Sequence, residues 1–339
     1  MSDPTKTDGS EVVVVTGASA GVGRATARAF AEQGAQVGLL ARGEAGLDGA
    51  REDVEDAGGE ALAVPTDVAD AEQIEAAADA VEDEFGRIDV WVNAAMTSVF
   101  SPATEMDHEE YRRVTEVTYL GFVYGTEVAL DRMDDGVIVQ VGSALAYRGI
   151  PLQSAYCGAK HAIQGFTESV RSELIHQDID VQLTMVQMPA LNTPQFDWVK
   201  SRLPKAPQPV PPIYQPEVAA EAIVWAVRND RSELWVGRST VKAILGNRVI
   251  PRRLDRKLAS SGWSSQMTDE PSDPDRAHNL REPVDDETDY GAHGRFDDRA
   301  RERSLQLWAF THPVELAAAL ISAGIALLAA LTFRDREDG

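Results

Sequence analysis

The sequence predicts an α/β fold, a Rossmann-type doubly wound parallel sheet of about seven strands, with a C-terminal extension and an apolar tail helix. Three observations carry this expectation. From Glu11 to about Gly237, short apolar runs alternate with amphipathic stretches, the pattern of strands joined by crossover helices. The strand-like runs are apolar at consecutive positions, as in strands covered on both faces. And the first of them leads directly into a glycine-rich turn ahead of a helix.

The strand candidates, in order, are "EVVVVTG", "QVGLLAR", "ALAVPTDV", "DVWVNAA", "GVIVQVGS", "DVQLTMVQM" and "ELWVG". Segments such as "AEQIEAAADAVEDEF" and "SAYCGAKHAIQGFTESVRSELI" fill the intervals as helices. After the first strand, "TGASAGVGRATA" places Gly17, Gly21 and Gly23 around Ser19 and Val22. Glycines there let backbone approach a pyrophosphate, and the helix start offers free N–H groups and a positive dipole end. The second strand ends in "LLARGEAGL", with no carboxylate to hold a ribose 2′-hydroxyl and with Arg42 as its first charged residue. An arginine at this place accommodates a 2′-phosphate. NADP(H) is therefore the expected cofactor, with NAD(H) as the other candidate.

Further along, "SAYCGAK" sets Tyr156 four residues before Lys160, one turn apart on one helix face. Ser143 closes the fifth strand. Cys157, the single cysteine, points away from that face and reads as a packing residue. No intrachain disulfide can form, and the six histidines show no metal-ligand spacing.

Taken together, "TGASAGVG", "NAA" at 93–95, Ser143 and the Tyr156/Lys160 pair resemble the short-chain dehydrogenase/reductase family over about residues 11–240. The resemblance implies an oxidoreductase moving hydride between a nicotinamide cofactor and a small-molecule alcohol or carbonyl. Tyr156 would be the general acid/base and Ser143 would bond the substrate oxygen. Lys160 would hold the nicotinamide ribose and favour the phenolate. Asp67 and Val68 match the family's adenine-contacting pair, Asn93 the residue supporting the cofactor strand, and Thr193 the threonine reaching the carboxamide. A homo-oligomer is also implied. In "EVTYLG", Thr118 stands where the family has a relay asparagine, and "NAA" replaces "NAG". The alternative reading is a catalytically weak NADP-binding scaffold or redox sensor with the same fold, which Thr118 favours.

Residues 1–10 read as a disordered N-terminus, 11–245 as the catalytic domain, and 246–305 as a linker, basic and then acidic and largely irregular. Within the domain, 189–216 has eight prolines and no periodicity, as a functional or mobile loop would. Residues 264–300 are polar and acidic and are expected to be mostly disordered. In the last part, 306–339, the uncharged run "LAAALISAGIALLAALTF" (316–333) is nearly long enough to span a bilayer. The N-terminus shows no secretory signal. The expectation is a cytoplasmic catalytic domain held at a membrane by its tail, with a helix packed on protein as the other reading of the run.

Acidic residues outnumber basic ones 55 to 32, a net charge of −23, which argues against a nucleic-acid surface. Only six of the basic residues are lysines, a composition that resembles proteins of salt-accumulating organisms. Salt screens the self-repulsion of such a chain. The melting temperature should therefore rise markedly between dilute buffer and molar KCl. A flat response would reduce the acidic surplus to tail composition.

Overall fold

The computed structural model describes residues 10–273, 275–317 and 321. Seven strands form one parallel sheet: β1 (Val12–Thr16), β2 (Gln36–Ala41), β3 (Glu60–Pro65), β4 (Val90–Asn93), β5 (Asp135–Ser143), β6 (Asp180–Met188) and β7 (Glu233–Trp235). Their spatial order is β7-β6-β5-β4-β1-β2-β3. The order reverses between β1 and β4, which opens a crevice beyond the carboxyl ends of those strands. The main helices are α1 (Gly21–Ala31), α2 (Glu44–Asp56), α3 (Ala71–Phe85), α4 (His108–Thr115), α5 (Gly121–Arg132), α6 (Ser154–Gln177) and α7 (Pro216–Val227).

The two-sided burial inferred from the apolar runs has a direct counterpart in β1. Val13 and Val15 point to a core shared with Phe30 of α1, Leu47 of α2 and Ile223 of α7. Val12 and Val14 point the other way, to Ile74 and Val81 of α3, Val128 of α5 and Leu174 of α6. Each fully buried side chain of this size contributes roughly 1.5–3 kcal/mol. Caps fix where the helices start. Asp70 accepts from the N–H groups of Glu72 and Gln73 at the head of α3, and Asp107 with Glu110 forms a capping box on α4.

The C-terminal part departs from expectation. Residues 264–300 are irregular in secondary structure but packed against the catalytic domain, not disordered. Met267–Pro271 pairs antiparallel with Lys205–Pro207. Ala300–Arg301 lies parallel to Ile213–Tyr214, which pairs in turn with Ala190–Leu191. The proline-rich loop 189–216 is thereby pinned. Leu280, Phe296 and Leu307 are buried, Leu307 in the main core beside α7. Composition underestimates such a segment because its few apolar anchors lie far apart. The intervening acids find partners on the domain instead, such as Asp289 with Arg24.

Among the described residues no helix is long and apolar enough to cross a membrane. The run 316–333, expected to act as an anchor, lies outside the described residues except for Leu316, Ala317 and Ile321.

Candidate active site

A cavity of about 430 Å³ occupies the crevice, a size typical of small-molecule sites. Its inner edge is the glycine turn after β1. Gly17 has φ +69°, and a Cβ there would stand 2.7 Å from the Ala95 Cα. At Gly23 a Cβ would meet the Gly17 carbonyl oxygen at 2.2 Å. Only glycine permits this close turn. Helix α1 starts just after it, with Ala20 at its N-cap and no side chain capping its first N–H groups. Ser19, Gly21 and Val22 complete this edge. The Gly21 N–H donates to the Gly291 carbonyl at 3.3 Å; the backbone cradle and the positive end of the helix dipole fit the pyrophosphate of a dinucleotide.

Three further expected contacts line the same cavity. Asp67 is held by Arg113, whose Nη2 donates to its Oδ2 at 2.5 Å, and by the Ala69 N–H at 3.0 Å. Val68 and Thr193 are both buried at the cavity wall. Asn93 lies beneath the cavity instead. Its side chain donates to Gln140 at 3.1 Å and Thr126 at 3.3 Å and accepts from the Trp91 indole at 2.9 Å. This buried network ties β4 to β5 and α5.

Arg42 reaches the cavity but does not stand free. Its guanidinium donates to the Arg281 carbonyl at 2.5 Å and the Asn279 carbonyl at 2.6 Å. Burial lowers its pKa, opposed by Asp67, Asp285 and Glu282.

Ser143, Tyr156 and Lys160 converge at the other end. Ser143 ends β5; its N–H donates to the Gln187 side chain at 2.8 Å, and its Oγ accepts from the Leu145 N–H at 3.1 Å. Tyr156 and Lys160 occupy successive turns at the start of α6. Lys160 is 2% exposed and donates to the Val141 carbonyl at 2.7 Å. Its Nζ lies 4.4 Å from the Phe122 ring centroid and 5.7 Å from that of Tyr156. Burial dominates both ionisations. It pushes the Tyr156 phenol well above its usual value, with hydrogen bonding to Ser143 acting the other way. It pushes Lys160 down to about 7. The ammonium was expected to pull the phenol down; the opposing influence on Tyr156 is instead its hydrogen bond with Ser143, and desolvation sets the direction.

Thr118 is not part of this constellation. It sits fully buried in the π-helical turn Glu116–Leu120, between α4 and α5. Its hydroxyl donates to the Thr97 carbonyl at 2.8 Å and accepts from the Thr97 N–H at 3.0 Å. With its one proton engaged there, it clips the chain after β4 and does not line the cavity. The hydroxyl, the group offered for the relay, makes a structural contact here. Cys157 is buried and its thiol is pushed up by burial, as fits a packing residue.

Several cavity residues carried no signal in the sequence. Asn279, Val284 and Asp285 come from the segment expected to be disordered.

A family model described as short chain dehydrogenase matches residues 11–201. The chain belongs to the short-chain dehydrogenase family. An uncharacterized oxidoreductase of Bacillus subtilis (strain 168), YxnA, is 35% identical over 269 residues, 78% of this chain and 76% of that protein. This match spans more of the chain than the short-chain dehydrogenase domain alone. Among solved structures, an alcohol dehydrogenase from Thermococcus sibiricus complexed with 5-hydroxy-NADP is similar with a TM-score of 0.58 and 29% identity, over 67% of this chain and 95% of that one. A short-chain dehydrogenase/reductase from Burkholderia phymatum in complex with NAD shares the fold, with a TM-score of 0.64 at 22% identity, over 73% and 95% of the two chains. Membership makes the protein an oxidoreductase of alcohol or carbonyl groups on a fold that binds NAD(P).

The buried lysine has a measurable consequence. In the unfolded chain it titrates near ~10.4, in the folded short-chain dehydrogenase near 7. Below pH 7 both states are charged and folding carries the full cost of burying the ammonium. Between about 7 and 10 the folded state alone has lost the proton, so that cost fades as pH rises, by about 1.4 kcal/mol per unit. The stability of Lys160→Met relative to wild type should therefore be greatest near pH 6 and shrink toward pH 10. A stability difference that does not change with pH would contradict a buried ammonium.

Proposed function

We propose that the protein moves hydride between a nicotinamide dinucleotide and an alcohol or carbonyl substrate, with Tyr156 as the general acid/base. The observation that carries this reading is the meeting of Ser143, Tyr156 and Lys160 in the one cavity that also holds the glycine cradle. When bound, the nicotinamide supplies or takes up the hydride. Tyr156 can give its proton to a carbonyl oxygen in reduction and, as the phenolate, take one from an alcohol in oxidation. Ser143 donates a hydrogen bond to the same oxygen as negative charge develops on it. Lys160, with a pKa near neutrality, can give up or regain a proton at working pH beside the phenol.

The substrate is an apolar carbonyl compound. Leu145, Ile150, Phe196, Val210 and Leu258 line the cavity, and burying apolar substrate surface against them contributes about 25 cal/mol per Å². The diverted hydroxyl of Thr118 favours the second reading, a dinucleotide-binding scaffold or redox sensor with slow turnover.

One variant separates the two. Tyr156→Phe should bind dinucleotide as wild type does, yet lose about a hundredfold or more in turnover on a panel of apolar ketones and aldehydes. Near-wild-type turnover in that variant would remove Tyr156 from the chemistry. Negligible turnover in wild type across the panel would favour the scaffold.

A further inference from the structure

Asp285 is the most unusual group at the adenosine end of the cavity. It is 8% exposed and lines the cavity together with Ser19 and Arg42. Its carboxylate presses on the end of β2 and the start of α2. A Cβ on Gly43 would lie 2.1 Å from its Oδ1, and one on Gly46 would lie 2.6 Å from its Oδ2. The same hypothetical Cβ on Gly46 would be 2.9 Å from the Ser19 Cβ, so the carboxylate stands between the glycine turn and α2. Its backbone carbonyl accepts from the Gly46 N–H at 2.9 Å. Its carboxylate is near enough to Arg42 to act on that guanidinium's charge, and at the cavity wall it can accept a hydrogen bond from what fills the cavity.

We propose that Asp285, carried in from the C-terminal segment, accepts the adenosine ribose 2′-hydroxyl and makes the site selective for NAD(H) over NADP(H). It provides from a distant part of the chain the carboxylate that the end of β2 lacks. The neighbouring charges agree. Arg42, on which a preference for NADP(H) would depend, already donates to the carbonyls of Asn279 and Arg281. Arg113 is paired with Asp67. A 2′-phosphate dianion would therefore meet a buried carboxylate beside an Arg42 whose donors already bond two carbonyls, whereas a hydroxyl would complete the site with one charge-assisted bond.

The inference rests on reading the cavity as a dinucleotide site, and binding measurements separate the two. NADH and NADPH are titrated into the full-length protein and followed by quenching of tryptophan fluorescence, Trp198 being at the cavity wall. NADH should bind at least about tenfold more tightly, a difference of about 1.4 kcal/mol. In Asp285→Asn the ratio should shift about tenfold or more toward NADPH, with NADH itself weakened. A probe that needs no variant is the NADH analogue lacking the adenosine 2′-hydroxyl, which should bind wild type several-fold more weakly than NADH. Preference of wild type for NADPH, an unchanged ratio in Asp285→Asn, or equal binding of the 2′-deoxy analogue would each overturn the role of Asp285 alone. Binding of neither dinucleotide at millimolar concentration would overturn the dinucleotide reading and this inference with it.

Discussion

The first turn of α2 has backbone N–H groups to satisfy and no side chain of its own that does so. They are satisfied from some 240 residues downstream. The Gly46 N–H donates to the Asp285 carbonyl at 2.9 Å, the Ala45 N–H to the Asp286 carbonyl at 3.3 Å, and the Glu44 N–H to the Asp286 carboxylate at 3.4 Å. Leaving a buried N–H without an acceptor costs about 1–3 kcal/mol, so these bonds matter to α2 as well as to the C-terminal segment. Two aspartates at a helix N-terminus also meet the positive end of its dipole. Gly43 and Gly46 make the approach feasible, since a side chain on either would collide with Asp285.

From that clasp the segment closes over one rim of the cavity. Arg42 extends across it to the carbonyls of Asn279 and Arg281. Asn279 donates its N–H to the Trp198 carbonyl at 3.1 Å, and Phe296 its N–H to the Asn192 side chain at 3.0 Å. The loop after β6, which would shape a substrate pocket, is thus held by the same segment that approaches the Arg42 end of the cavity. Both ends of the site are built partly from residues beyond the 11–201 stretch that defines the family.

Much of this was legible in the sequence where a local physical requirement leaves a local trace. Strands buried on both faces must be apolar at consecutive positions, and all seven runs became the strands of the sheet. A backbone that turns as closely as Gly17 and Gly23 do leaves glycines at fixed spacing. Tyr156 and Lys160 share a helix face because four residues make about one turn. The place of Thr118 was not legible because its partner, Thr97, lies 21 residues earlier in the irregular chain after β4, and a hydroxyl does not announce which backbone it will bond. Arg42 carried the same ambiguity: its charge was visible, the two distant carbonyls that occupy it were not. In the C-terminal segment, Leu280, Phe296 and Leu307 are too widely spaced to form a periodic pattern. Its order comes from pairings to remote backbone that composition does not encode.

The acidic C-terminal segment is a folded part of the cavity wall and not a tether. Hydrogen–deuterium exchange on the full-length protein tests it most directly. The amides of Ala45, Gly46, Asn279 and Phe296, each bonded across the clasp or the cavity rim, should exchange orders of magnitude more slowly than in an unstructured peptide. Exchange of the Asn279 and Phe296 amides at the free-peptide rate, with the central sheet still protected, would contradict it.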